Sequence, residues 1–417
     1  MAGVSHKGFD ALFFCITFAN PNRFKRYQSD NYLLFNLIQE SMNEISKSKR
    51  IVYLDLLKVI GIFLMVANHC VDNVTPMERA EPWYNLWGSV YNSFTRPAIP
   101  LFMMVTGILL LPTRMEMSAF YQKKITRVLL PFLVWSVLYN LFPWFTGLLG
   151  YDASTINLFF KWAEPSQAFA DTWQNICRIP FNFSAFSVQM WYVYLLIGTY
   201  LYLPIFSAWV EKSDKKSQRI FLGIWAISLF IPYLRNFLTG NLWGECSWNE
   251  FGMFYYFAGF NGYLLLGHHL VKYPLQISNT KKYLVALVAF ALGYGITLTG
   301  FKEATAVPGQ SEAMVELFFT FCSPNVALMS LAIFLVCQDV TFSSSKLNRF
   351  ITNFSVCTFG IWMCHYFFVG PVYLLVRSWE APVLLKVFIE NIWVLLISFA
   401  FVLLVRSTGK WGKKIMG

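Results

Sequence analysis

The feature that most constrains this chain is a series of apolar segments, each close to the length that crosses a bilayer as a helix. Ten candidate spans follow one another, at about 51–70, 97–112, 128–150, 189–210, 219–239, 251–271, 283–300, 313–337, 351–376 and 383–405. A helix needs about 20 apolar residues to cross a hydrocarbon core of about 30 Å. Hydrophobic residues make up 56% of the chain and charged residues 13%, which excludes a disordered chain, a coiled coil and a water-soluble globule. The sequence therefore predicts an all-α, polytopic membrane protein with about ten transmembrane helices.

Lys and Arg are concentrated in alternate connections between these spans, as the positive-inside rule predicts for short cytoplasmic loops. The basic connections contain the clusters around Lys49, Lys124, Lys215, Lys281, Lys346 and Lys413. This alternation predicts a multi-pass protein of the inner (plasma) membrane, with both termini in the cytoplasm and the segment 151–188 outside. The same distribution explains the formal net charge of +11 without a nucleic acid partner. The lipid bilayer, with its anionic head groups, is the expected partner of these basic loops.

The predicted spans divide the chain into three parts. Residues 1–50 contain one apolar stretch that is too short to span, so we expect a cytoplasmic N-terminal extension. Residues 51–405 form the predicted membrane domain, and residues 406–417 a basic cytoplasmic tail. Translation from Met1 or from Met42 is compatible with this division, and the oligomeric state stays open. The eight cysteines contain no C-x-x-C pair, and no metal site is expected.

The first span carries three ionisable residues, which are costly in a membrane and therefore indicate a functional site. They are Asp55, Lys58 and His69. Lys58 and His69 are eleven residues apart. This spacing is about three full turns, so the two side chains share a face and lie about 16 Å apart along the axis. Asp55 is one turn from Lys58, and the two form at least a helix-end ion pair. Histidine is the usual general base for a hydroxyl nucleophile, which makes His69 the first catalytic candidate.

Five segments together resemble the integral-membrane acyltransferase family 3. Asp55 to His69 resembles the family's D-x-x-R opening with a later His, and Arg96 to Gly107 resembles its R…VPLFFxxSG segment. Phe120 to Pro131 resembles its R-x-x-R element. Gln189 to Val193 resembles its H-x-W-[FY]-L signature, and Phe354 to His365 resembles its S-[FY]-x-x-Y-x-x-H element. The matches cover about residues 51–405 and agree with the ten-span count. The chain departs from the family at Lys58, Lys124 and Gln189, where Arg, Arg and His are usual. Lysine keeps the charge of arginine but loses its forked donors.

The resemblance implies transfer of an acyl group, most often acetyl from acetyl-coenzyme A, to a hydroxyl of a carbohydrate or lipid-linked glycan. His69 then accepts the proton of that hydroxyl or carries the acyl group transiently, and the sequence leaves both routes open. Lys58 and Arg96 are candidates for stabilising the oxyanion, His365 is a second catalytic candidate, and Glu316 is a candidate for orienting a histidine. The phosphates of the donor are expected to contact Lys123, Lys124 and Arg127, and Arg96 is a further candidate for donor binding.

A transporter or flippase is the alternative from another class of protein. In that interpretation Asp55, Lys58 and His69 form a proton or solute relay through the membrane. We find no convincing similarity between the first five and the last five spans, which disfavours a fold built from repeats. Consumption of a thioester with release of a free thiol distinguishes the acyltransferase. The acceptor stays open among sugar hydroxyl, sugar amine, lipid and peptide, and the transferred group between acetyl and succinyl.

Overall fold

A computed structural model describes residues 51–71, 82–156, 168–238 and 251–417. The helices are α1 (Val52–Val71), α2 (Pro82–Thr95), α3 (Ala98–Leu110), α4 (Met117–Leu148), α5 (Ala153–Ile156), α6 (Phe169–Arg178), α7 (Trp191–Lys212), α8 (Lys215–Ser228), α9 (Ile231–Phe237), α10 (Asn261–Lys272), α11 (Asn279–Ala306), α12 (Glu312–Glu316), α13 (Pro324–Cys337), α14 (Ser345–Cys364), α15 (Tyr366–Val376), α16 (Val383–Ser407) and α17 (Lys410–Ile415). Short 3-10 helices occupy Ala185–Met190, Gly252–Phe257 and Leu317–Phe319. These ranges contain no strand, and the predicted all-α membrane fold is confirmed. The predicted extension 1–50 lies outside the described residues.

Within the described residues, eight helical segments are long and apolar enough to cross a membrane. They correspond to eight of the ten predicted spans. The span predicted at 351–376 is a pair, α14 and α15, bent by 83°. The span predicted at 251–271 is a 3-10 helix followed by the 12-residue α10, which at about 1.5 Å per residue is too short to cross alone. Gly259, whose φ is +82°, separates these two pieces, and hydropathy does not record such a break.

Helix α1 lies at the centre of the bundle, where α2, α3, α14 and α16 pack against it. Its most apolar stretch is 61% buried, whereas that of α11 is 28% buried. A helix that is apolar on every face is stable only inside the bundle or against lipid. The burial of α1 by four neighbours directs its ionisable side chains towards the protein interior. Helix α11, with Leu284, Leu287 and Leu292 exposed, is suited to contact lipid.

The short α10 is held in the bundle by a close crossing with α3. A Cβ atom at Gly107 would lie 1.9 Å from the carbonyl oxygen of Leu264, and one at Gly267 would lie 2.4 Å from that of Met104. No side chain fits at either place, so both positions require glycine. Small residues allow two helix backbones to approach in a membrane, where packing rather than the hydrophobic effect drives helix association. The crossing fixes α3, and with it the side chains of α3 that face α1.

The predicted basic tail, residues 406–417, is packed on the bundle. It forms α17, which contacts α4 and α16. The indole nitrogen of Trp135 on α4 donates to the carbonyl oxygen of Ile415 at 3.2 Å, and Arg406 Nη1 donates to the carbonyl oxygen of Gly417 at 3.1 Å. These contacts hold Lys413 and Lys414 of α17 near Arg127 of α4.

Candidate active site

His365 occupies the corner between α14 and α15, where the helix direction changes by 83°. Backbone carbonyl groups at such a break lose their place in the helical ladder and need other donors. His365 Nδ1 lies 2.8 Å from the carbonyl oxygen of Trp362, and the hydroxyl of Tyr139 donates to the carbonyl oxygen of Met363 at 2.8 Å. The two contacts stabilise the corner. They also fix the orientation of the His365 imidazole.

The contacts of His365 define its tautomer. Carbonyl oxygens only accept hydrogen bonds, so we assign the hydrogen to Nδ1, which also lies 3.2 Å from the carbonyl oxygen of Ile361. In the neutral ring Nε2 then carries the lone pair. This atom is buried and has no hydrogen-bond partner among the described residues. It is therefore placed to accept a proton or a hydrogen bond from a bound substrate.

His69, in the last turn of α1, contacts His365 directly. The ring centroids are 5.3 Å apart and the ring planes are inclined by 33°. Tyr366 packs edge-on against His69, with 5.1 Å between centroids. His365 is fully buried and His69 is half-buried. The structure thus brings together the two histidines that were catalytic candidates in the sequence, from the first and the ninth predicted spans. We refer to them as the histidine pair.

Gln189 is a buried polar residue that contacts Trp362, near the corner between α14 and α15, and the sequence marked it only as a departure from the family motif. Neither Nε2 nor Oε1 of its side chain makes a well-formed hydrogen bond in the described part of the chain, although the side chain lies near the Tyr139 hydroxyl, which donates to Met363. Its carbonyl oxygen accepts from the indole nitrogen of Trp362 at 3.1 Å, and Trp362 in turn accepts from His365. A buried amide without partners costs about 1–3 kcal/mol. Such a group is expected where a substrate or a water completes its hydrogen bonds.

A cavity of about 450 Å³ lies beside the first half of α1. Its lining includes three basic residues, Lys58, Lys124 and Arg127, and five aromatic residues, Phe102, Tyr192, Tyr200, Phe359 and Trp362. We call it the basic cavity. Tyr192 and Trp362 have ring centroids 4.6 Å apart, and Phe102 lies within 6.0 Å of both. Because the Trp362 ring is also 6.5 Å from the His365 ring, this aromatic wall connects the basic cavity to the histidine pair.

Asp55 fixes Lys58 at the basic cavity. Lys58 Nζ lies 3.7 Å from Asp55 Oδ1. The buried Asp55 carboxylate also accepts hydrogen bonds from the Ser355 hydroxyl at 2.6 Å and the Thr352 hydroxyl at 3.3 Å, both on α14. The expected ion pair is therefore present, and it ties α1 to α14 while Lys58 lines the cavity.

A second cavity, of about 530 Å³, adds positive charge next to the basic cavity. It shares Arg127 with the basic cavity and is also lined by Arg406, Lys413 and Lys414. Helix α17 carries the two lysines to this position. The positive-inside rule alone supplies cations at one end of a bundle. The rule does not explain why these cations surround two adjoining cavities. That arrangement suits a ligand with several negative charges.

A cavity of about 460 Å³ lies at the opposite end of the bundle, where α3, α7, α10 and α13 begin. Its lining includes Arg96 and Glu316 and five aromatic residues, Trp191, Phe251, Phe260, Phe319 and Phe321. We call it the aromatic cavity. The Arg96 guanidinium lies 4.1 Å from the centroid of the Phe319 ring, and its Nη2 lies 2.7 Å from Asn68 Oδ1. Asn68 immediately precedes His69, so Arg96 links the lining of this cavity to the residue next to the histidine pair.

Three of the residues predicted for the site lie neither in the basic cavity nor in the histidine pair. Lys123 is exposed and is not among the residues that line that cavity, although Lys124 is. Arg96 and Glu316 lie in the aromatic cavity. The structure therefore places Arg96 apart from Lys124 and Arg127, in a cavity that Glu316 also lines. The position of Arg96 depends on how four helix ends meet, which the sequence does not specify.

These features define a multi-pass helical membrane protein with two contacting histidines in its interior. A family model described as an acyltransferase domain matches residues 51–406, which is most of the chain. The chain belongs to this family, the integral-membrane acyltransferase family 3, and is a membrane acyltransferase. The resemblance found in the sequence is confirmed. Comparison with curated proteins and with solved structures gives no match.

Proposed function

We propose that this acyltransferase moves an acyl group, with acetyl as the expected group, from cytoplasmic acyl-coenzyme A to a hydroxyl of a carbohydrate or lipid-linked glycan. The observation that carries the proposal is the contact between His69 and His365 beside a cavity lined by three cations. Family membership supports acyl transfer over the transporter alternative, because a relay of ionisable groups needs no acyltransferase domain. The protein is accordingly proposed to lie in the inner (plasma) membrane, with both termini in the cytoplasm.

The basic cavity is the proposed donor site. Coenzyme A carries phosphates at one end and a long, narrow pantetheine arm at the other. Lys124 and Arg127 would hold the phosphates through charge-assisted hydrogen bonds, aided by the neighbouring cations of α17. The arm would enter between the aromatic side chains and bring the thioester to Trp362. Lys58 lines the same cavity, in the opposite half of α1 from His69, so we assign it to donor binding.

The histidine pair is the proposed reaction centre. As the acceptor oxygen attacks the thioester carbonyl, His69 takes the hydroxyl proton, and a tetrahedral intermediate with a negatively charged oxygen forms. The buried Gln189 amide is the proposed donor to that oxygen. Collapse of the intermediate breaks the carbon–sulfur bond, and the proton passes from histidine to the leaving sulfur. Transient attachment of the acyl group to His69 is the second route, and it uses the same residues.

Release of coenzyme A thiol tests the proposal directly. The purified protein in nanodiscs is incubated with acetyl-coenzyme A, and free thiol is measured with a chromogenic disulfide reagent. We expect continuous thiol release that increases when a glycan acceptor is added. Surface glycans from cells with and without the protein are then compared by mass spectrometry for a difference of one acetyl group per site. A protein that leaves every acyl-coenzyme A intact would contradict the proposal and favour a transporter.

A further inference from the structure

We propose that the aromatic cavity binds the sugar ring that carries the acceptor hydroxyl. This inference rests on the proposed function, and it adds a location and a binding chemistry for the acceptor. The cavity lies at the end of the bundle away from Lys58, Lys124 and Arg127. Its volume, about 460 Å³, is in the range of small-molecule sites.

The lining of the aromatic cavity suits a sugar. A sugar ring presents C–H groups on its faces and hydroxyls at its edge, so a site for it combines flat apolar surfaces with a few polar groups. The rings of Trp191 and Phe321 are stacked, with 5.3 Å between centroids and planes inclined by 19°. Phe319 lies under the Arg96 guanidinium. Glu316 adds an acceptor for hydroxyl hydrogens.

The cavity is also placed to deliver a hydroxyl to the reaction centre. Arg96 Nη2 and the Thr95 hydroxyl contact Asn68 Oδ1, at 2.7 and 3.0 Å. Asn68 is the neighbour of His69, so Arg96, which lines the cavity, and Thr95 fix the Asn68 side chain next to the proposed base. On α7, Trp191 lines the aromatic cavity and the next residue, Tyr192, lines the basic cavity. One helix start therefore separates the two cavities, and the acceptor would approach the histidine pair from the end opposite to the donor.

A groove elsewhere in the bundle shows what a lipid chain would prefer. This groove, of about 500 Å³, is lined by apolar and aromatic side chains that include Leu138, Phe142, Phe145, Phe368 and Phe401. A hydrocarbon chain makes no use of a guanidinium or a carboxylate, and burying either against it is costly. The charged residues of the aromatic cavity therefore favour a polar, ring-shaped ligand there over a lipid tail.

Variants that remove aromatic faces from the cavity test this assignment. Trp191→Ala and Phe251→Ala each remove one ring, and Trp191→Phe retains a ring. Met253→Ala is the matched control, because Met253 is 87% exposed, lies two residues from Phe251 and is not among the residues that line the cavity. The methyl glycosides of glucose, galactose and N-acetylglucosamine serve as acceptor probes. KM is measured for each glycoside and for acetyl-coenzyme A, with thiol release as the readout.

We expect Trp191→Ala and Phe251→Ala to raise the glycoside KM about tenfold, since truncation of an aromatic contact commonly has an effect of this size. The KM for acetyl-coenzyme A should change less than about twofold, and both constants should stay unchanged in Met253→Ala. Trp191→Phe should retain most of the glycoside affinity.

The inference is overturned if the alanine variants leave the glycoside KM unchanged or raise the acetyl-coenzyme A KM equally. It is also overturned if none of the glycosides increases thiol release by the unmodified protein. Absence of any thiol release from acetyl-coenzyme A, with or without glycoside, contradicts the proposed function instead. The two failures are therefore distinguishable.

Discussion

The basic cavity and the aromatic cavity have nearly the same volume, about 450 and 460 Å³, but different chemistry. The basic cavity contains Lys58, Lys124 and Arg127 among aromatic rings, whereas the aromatic cavity contains one arginine, Arg96, and one carboxylate, Glu316. The first lining suits a ligand with several negative charges, and the second suits a neutral ring with hydroxyl groups. The difference teaches that one bundle contains two cavities of dissimilar chemistry, one beside the first half of α1 and one linked to its last turn.

The two cavities differ in their position along α1. The first half of α1 carries Asp55 and Lys58, and its last turn carries His69. The basic cavity lies beside its first half, between α3 and α14, which pack against α1. The aromatic cavity is linked to its last turn by the contact of Arg96 with Asn68. The bend after α14 then turns His365 towards the end of α1. The proposed sites for the charged donor and the neutral acceptor therefore lie towards opposite ends of one helix.

The largest expected effect on activity is that of substitutions in the histidine pair, because the proposed reaction takes place there. We expect His69→Ala to lower kcat at least about 100-fold, because a general base or acyl carrier is lost. The KM for acetyl-coenzyme A should stay nearly constant, since His69 does not line the basic cavity. His365→Ala should lower kcat less. Steady-state kinetics on protein of matched size-exclusion profile measures both. Should His365→Ala prove the more damaging change, the two residues would exchange roles.

The next effect concerns Lys58, which lies in the basic cavity and pairs with a buried carboxylate. We expect Lys58→Met to lower acyl transfer about 10- to 100-fold, the range for loss of a hydrogen bond to a charged group. Lys58→Arg should remain active if the position supplies only charge. The double variant Lys58→Met, Asp55→Asn separates the two functions of Lys58. Recovery of wild-type rates in that variant would mean that Lys58 only neutralises Asp55, and it would remove Lys58 from the donor site.

A smaller effect is expected at the wall of the basic cavity formed by α4. Lys124→Ala and Arg127→Ala should each raise the KM for acetyl-coenzyme A about tenfold, because each removes a charge-assisted contact to phosphate. Both increases should diminish at high salt. Lys123→Ala is the matched control, because Lys123 has the same charge on the same helix but does not line the cavity, and its KM should change less than about twofold. Equal effects of Lys123→Ala and Lys124→Ala would mean that charge at this end, rather than the cavity, attracts the donor.

The last prediction concerns which end of the bundle faces the cytoplasm. It is tested by cysteine labelling, and no change in activity is expected. Single cysteines are placed at Ser154, on α5, and at Ser217, on α8, in a background whose native cysteines are replaced by serine. An impermeant maleimide added to intact cells should label the cysteine at position 154 and not the one at position 217, because the basic loops are expected inside. Labelling in the opposite pattern would place the basic cavity outside and reverse the proposed sides of donor and acceptor.

The membrane fold and part of the site were predictable from the sequence. Hydropathy indicates most spans, and the cost of ionisable groups in a membrane singles out Asp55, Lys58 and His69. The contact of His69 with His365 was not predictable, because it depends on an 83° bend that hydropathy does not record. The burial of Gln189 without partners likewise follows from tertiary packing. The sequence grouped Arg96 with the donor contacts by charge alone, and the structure places it in the aromatic cavity.

The central claim is that the donor enters through the basic cavity from the cytoplasmic side. Sealed membrane vesicles of the two orientations, each supplied with external acetyl-coenzyme A, test it most directly, because the donor does not cross a lipid bilayer unaided. We predict that inside-out vesicles release coenzyme A thiol, that right-side-out vesicles do so only after permeabilisation, and that Arg127→Ala raises the donor KM in the inside-out vesicles. Thiol release from intact right-side-out vesicles, with none from inside-out vesicles, would contradict the account.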